Sequence, residues 1–252
     1  MNILKADFFH LRKDKLFLTL LIITFVLPML SCLMPVLFGT NASTLESIVF
    51  QGLSTDILCV LIGIQLSSFI GKDYSNNTIR NKVCYGEKRT KIVLAYFFET
   101  LLISLIFIAV SLISSFIFGS IFGKISFSAD FVPKLFCQML LLISFAFVIT
   151  CLVISTKSAK AGFIFTILIS VLLNAVGYLL PILAATNQIA SILCRVLYMI
   201  TSSMLLKSTN GIYTYGETIF GGLYLNSILI FVVYLTISIV VSLLITKKQE
   251  YK

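Results

Sequence analysis

The chain has 252 residues, of which 59% are hydrophobic and only 12% charged. Those proportions exclude an ordinary soluble domain and point to an integral membrane protein. The net charge of +9 does not indicate nucleic acid, because the basic residues gather at the ends of apolar runs, as the retention of positive charge on the inner side of a membrane requires.

The apolar runs have the length of helices and lack the strand-length alternation of a barrel, so the expected fold is all-α and polytopic. No internal repeat, heptad pattern or low-complexity tract interrupts it. Residues 1–15 place Leu4, Phe8 and Leu11 on one helical stripe, with Lys5, Asp7, Arg12, Lys13 and Asp14 elsewhere. That pattern suits an amphipathic helix lying on the inner membrane surface. A cleaved signal peptide is the competing reading. The apolar run that follows is too long for it, and no convincing cleavage site ends that run, so the segment is expected to stay.

The first span is expected over 16–38, disturbed by Pro28 and Pro35. A short outer loop leads to the second span, 48–70. After the charged loop 72–91 come the third span, 93–118, an outer loop, and the fourth span, 135–156. The turn Lys157-Ser158-Ala159-Lys160 is basic and therefore internal. The fifth span, 161–184, contains Asn174, Gly177 and Pro181, and the sixth, 223–245, is followed by Lys247, Lys248 and Lys252. Between them, 186–222 carries an apolar stripe (Ile189, Ile192, Leu193, Val196, Leu197, Ile200, Met204, Leu205) opposite Ser191, Arg195, Tyr198 and Ser202. It reads as an outer amphipathic helix, either dipping into the membrane or lying flat. A seventh span is disfavoured by charge. With six spans, only Lys124, Lys134, Arg195 and Lys207 of the 19 basic residues lie outside, whereas a seventh would move the basic tail outside.

The loop 72–91, KDYSNNTIRNKVCYGEKRTK, is the longest strongly polar stretch. Ser75, Asn76 and Asn77 suit a helix N-cap, and Thr78 to Tyr85 reads as two turns with Ile79 and Val83 on one face. Gly86 suits the left-handed backbone that ends a helix. On physical grounds such a helix serves equally as a docking element or as a plain connector that sets topology.

The run Asp73-Tyr74-x-x-Asn77-Thr78-Ile79-Arg80-Asn81-Lys82-x-x-x-Gly86-x-x-Arg89-x-x-Ile92 resembles the first cytoplasmic loop of ABC-2 type permeases, the membrane subunits of ABC transporters. The family often has Gly where this chain has Asn77, a mild departure because Asn also tolerates left-handed backbone. The resemblance implies that residues 1–15 are the family's elbow helix and that 186–222 is its re-entrant segment. It implies that 72–91 holds the coupling helix, with Asp73, Tyr74, Thr78, Ile79, Arg80, Lys82, Val83, Gly86 and Arg89 serving the contact with an ATP-binding subunit. Arg80, Lys82 and Arg89 are the expected docking contacts. It further implies a second permease, identical or related, and a path lined by spans one, two and five. The chain is expected to lie in the cell membrane, of a bacterium, with both termini cytoplasmic.

Within the spans, Asp56 and Glu99 are the ionisable residues to explain. Asp56 either faces a polar pathway or is a neutral, hydrogen-bonded structural acid. Glu99 lies about 9 Å along its helix from the charged loop and so is within reach of the interface. Gln65 and Asn174 read as interhelical hydrogen-bonding residues more readily than as a ligand site. The six cysteines have no paired spacing and read as small buried hydrophobes.

Enzyme chemistry has little support. His10 is the single histidine, and His-Glu-x-x-His and the Walker A loop are absent from the sequence. No cofactor is expected on this chain; ATP and Mg belong to the partner subunit. The plain outer loops and small size resemble permeases of peptide export and lantibiotic immunity, so the expected cargo is an amphipathic peptide, toxin or antibiotic. A drug, lipid or sodium exporter is the alternative within the class. A membrane anchor or sensor that moves nothing, and a secondary transporter, are the readings outside it.

Overall fold

The computed structural model describes residues 8–11, 13–37, 44–54, 56–76, 78–84, 86, 88–124, 127, 131–184 and 223–250. Eight helices follow in chain order: α1 Lys15–Leu37, α2 Leu45–Ser54, α3 Asp56–Ser75, α4 Thr78–Cys84, α5 Arg89–Phe122, α6 Phe131–Thr156, α7 Ala159–Ala184 and α8 Leu223–Glu250. The protein is thus an all-helical, polytopic membrane protein. Among the described residues, four stretches are long and apolar enough to cross a membrane: Lys15–Leu33, Ile57–Ser75, Arg89–Phe122 and Phe131–Thr156. Ala159–Leu172 and Phe231–Lys247 are shorter apolar stretches of α7 and α8. The segment 186–222, read as an outer amphipathic or re-entrant helix, lies outside the described residues.

Before α1, residues 8–11 and 13 are helical. The expected apolar stripe divides there: Leu11 is buried at 4% exposure, whereas Phe8 stays 52% exposed. Leu11 meets the bundle, and Phe8 is left outside it. Asp14 opens α1 as its cap, accepting the Leu16 N–H at 3.3 Å. Helix α1 then runs through both Pro28 and Pro35.

The range read as a single second span holds two helices, α2 and α3. The cause is local: Gly52-Leu53-Ser54-Thr55-Asp56 combines weak helix formers with residues that favour N-caps, which a hydropathy average does not register. A break inside a bilayer strands the last carbonyls of the preceding helix, Gly52 among them, and a neighbouring helix supplies a donor there. Ser111 on α5 donates to the Gly52 carbonyl at 3.1 Å, and Gln138 on α6 donates to the Phe50 carbonyl at 3.3 Å. Gln138 is therefore a buried structural donor and not an interfacial side chain.

Helix α6 is the centre of the bundle, packed by α8, α3, α5 and α7. Phe147 of α6 stacks between Phe97 of α5 and Phe231 of α8, with ring centroids 5.8 and 6.1 Å away. Helices α3 and α7 approach by small residues. Gly63 faces Thr166, Ser67 faces Gly162, and a Cβ on Gly71 would sit 2.4 Å from the Ala159 Cα. Several hydroxyls along the helices are satisfied by their own backbone. Thr24, Ser144, Thr150, Thr166 and Thr246 each donate to the carbonyl four residues earlier, at 2.8 to 3.0 Å.

Candidate functional site

The charged loop begins on the last turn of α3. Its polypeptide turns at Ser75 and Asn76, whose hydroxyl and N–H both donate to the Lys72 carbonyl, at 3.1 and 2.9 Å. Helix α4 follows, with Asn77 outside the described residues. It ends as its glycine demands: the Gly86 N–H donates to the Val83 carbonyl at 2.9 Å, and Gly86 takes φ +88°. Nothing lies within 4 Å of where a Gly86 Cβ would be, so the glycine is required by backbone conformation and not by space.

Helix α4 has seven residues and none of them is buried. A helix this short is not stable alone, so contacts must hold it. Ile79, Lys82 and Val83 share one face by their spacing. Ile79 and Val83 pack, half-buried, against the core. Lys82 turns inward between them, and its ammonium meets Asp73 Oδ2 at 2.9 Å. The same oxygen accepts the Tyr96 hydroxyl of α5 at 2.8 Å. The Lys82 ammonium also lies 5.4 Å from the centroid of the Tyr96 ring. The side chains of Lys82 and Asp73 are only 14% and 19% exposed, so the pair sits in a poorly screened place where charge-assisted bonds are strong.

The other face of α4 is free. Arg80, Asn81 and Cys84 are exposed there. Of the three basic residues expected at a docking face, Arg80 is thus presented outward, Arg89 is half-buried at the start of α5, and Lys82 is engaged within the chain. Thr78 and Tyr74 are half-buried, and Tyr74 packs against the core. One residue before Asp73, Lys72 reaches both oxygens of Asp14, at 3.2 and 3.3 Å, and ties the end of α3 to the start of α1.

The polar residues placed within the spans fare differently. Gln65 is wholly buried on α3, and neither of its amide atoms has a hydrogen-bond partner among the described residues. Glu99 is 6% exposed on α5, so its helix turns it into the bundle. Asp56 is the first residue of α3, and Asn174 lies in α7; both side chains are outside the described residues. A polar link not foreseen in the sequence joins α5 to α6: the Thr100 and Thr150 hydroxyls lie 2.7 Å apart. Tyr96 was also missed. Its polar tip seven residues into α5, one helix away from an acid, was the available signal.

A profile of the family described as ABC-2 family transporter protein matches residues 3–177, which reach from the amino end into α7. No curated protein matches the chain at a significant level.

Proposed function

The chain belongs to the ABC-2 family of transporter proteins, and from that premise we propose that it is one half of the membrane unit of an ABC exporter in the cell membrane. The family works with a separate ATP-binding subunit, which holds and hydrolyses Mg·ATP. Six crossings complete the unit in this reading: α1, α2 with α3, α5, α6, α7 and α8, with both termini and the charged loop cytoplasmic. A second permease, identical or related, closes the path.

The observation that carries the reading is α4 itself. It is a short helix seated on the bundle by one face, with Arg80 turned outward from the other, at the position where the sequence resembles the family's coupling loop. ATP-driven closure of the partner subunits pushes α4, and packed helices pass the displacement on as a switch between two arrangements. The cargo is an amphipathic peptide, toxin or antibiotic, since walls of Phe, Leu, Ile and Ser with few fixed charges favour such molecules over ions or sugars.

The test is co-purification from native membranes followed by an ATPase assay. Wild-type protein should bring down an ATP-binding subunit, and Arg80→Glu should lower its recovery at least tenfold. Absence of any such subunit with folded wild-type protein overturns the permease reading. For the cargo, vesicles containing the complex should accumulate a labelled amphipathic peptide only with Mg·ATP; ATP-driven movement of a lipid or of sodium instead would replace it.

A further inference from the structure

Helix α4 has to be held in one position if a push on it is to be read as a signal. Its apolar contacts, through Ile79 and Val83, are non-directional and allow sliding. The ionic contact is directional. Asp73 on α3 offers one oxygen, Oδ2, to two donors on two other helices, Lys82 of α4 and Tyr96 of α5, at 2.9 and 2.8 Å. Rotating or translating α4 lengthens the Lys82 bond unless α3 and α5 follow.

We infer that Asp73 is a positioning residue for coupling: its carboxylate sets the register of α4 and passes the displacement of α4 to α5. This rests on the docking role of α4 proposed above. Beyond Tyr96 the path is rigid. The next residue, Phe97, packs on Phe147, and one turn farther Thr100 bonds Thr150, both on α6. Phe147 in turn meets Phe231 of α8. Tightly packed side chains of this kind transmit a shift and do not absorb it. Asp73 bonds the inward-facing Lys82 and leaves the exposed face of α4, with Arg80, untouched. Its loss should therefore leave docking intact and remove the consequence of docking.

The experiment uses the full permease in lipid nanodiscs, titrated with its ATP-binding subunit in the presence of Mg·ATP. It reads the apparent Kd for docking and, at saturation, the change that the permease imposes on kcat. Tyr96→Phe removes one hydroxyl, and Lys82→Met removes the charge while keeping the stem. Each should leave Kd within twofold of wild type and reduce the change in kcat at least fivefold. Lys82→Arg should restore the change in kcat. Tyr96→Phe combined with Lys82→Met should lose no more than the worse single variant, because both act through one carboxylate. Arg80→Glu is the contrast: Kd rises at least tenfold and kcat at saturation is preserved.

The inference is overturned if Tyr96→Phe and Lys82→Met raise Kd as Arg80→Glu does, or match wild type in both readings. Should Lys82→Met not purify folded, Tyr96→Phe decides alone. A wild-type permease that binds no ATP-binding subunit overturns the docking role itself, and is distinguishable because the variants then have nothing to alter.

Discussion

Two residues apart at the end of α3, the helix makes two contacts of opposite kind. At Gly71 the backbone of α3 lies directly against Ala159 of α7, with no side chain between them. At Asp73 a carboxylate gathers a lysine from α4 and a tyrosine from α5. The first is steric: it depends on the absence of atoms, and no rearrangement of a neighbour replaces it. The second is electrostatic, and it breaks and re-forms as the donors move. The comparison teaches that α3 is welded on one side and latched on the other. In the proposed coupling, a push entering at α4 would have α7 as its fixed reference and α5 as its moving arm.

The largest expected effect tests the weld. Gly71→Ala puts a Cβ 2.4 to 2.6 Å from Ala159 backbone and Cβ atoms, which cannot rotate away. We expect a loss of about 3 kcal/mol in unfolding from detergent, toward the upper end of overpacking costs. Gly63→Ala in the same seam meets the Thr166 side chain, which can turn, and should cost about 1 kcal/mol. Equal losses at the two positions would show that the contact at Gly71 is no more rigid than the rest of the seam.

A smaller effect sharpens the moving arm. In the 2.7 Å contact between Thr100 and Thr150 one hydroxyl donates to the other, and the accepting hydroxyl gives its own proton to its backbone carbonyl, that of Tyr96 or of Ala146. Thr150→Val should cost about 1 kcal/mol of stability, the scale of interhelical hydrogen bonds in membranes. It should also reduce the kcat response in the nanodisc assay without changing docking. A stability loss with the response unchanged would route the displacement elsewhere.

The smallest effect concerns the tie between α3 and α1. Lys72 is half exposed, so its pair with Asp14 is worth about 0.5 kcal/mol or less at low salt. Asp14→Asn keeps the cap on the Leu16 N–H and removes only the charge pair. The difference from wild type should vanish in high salt. A larger loss would make this tie a second latch.

The all-helical, membrane-spanning architecture was legible because apolar length and charge asymmetry are direct consequences of the bilayer as solvent. So was the turn of α4 onto Ile79 and Val83, which follows from spacing, and its end at Gly86, which follows from backbone freedom. The break between α2 and α3 was not legible in an averaged hydropathy, although Gly52-Leu53-Ser54-Thr55-Asp56 carried the local chemistry for it. The inward turn of Lys82 was missed for a different reason. A lysine in a basic loop has no sequence mark that separates a solvated charge from a paired one. The pairing depends on Tyr96, which the fold brings in from the next helix. The same holds for Gln65 and Glu99, whose burial is decided by which side of a helix meets the bundle.

The backbone-bonded hydroxyls have a consequence for how the chain is made. A threonine that donates to the carbonyl four residues before it arrives at the bilayer with its polar group already satisfied. Thr166 of α7 and Thr246 of α8 are of this kind, so neither hydroxyl depends on a neighbouring helix for its acceptor. Gln138 is different, since its amide reaches the Phe50 carbonyl of another helix. That bond exists only after α2 and α6 meet; until then the amide lacks this acceptor, whereas the Phe50 carbonyl lies within α2, four residues before the Ser54 N–H. We expect assembly to favour early docking of α6 against α2, the step that gives the Gln138 amide this acceptor.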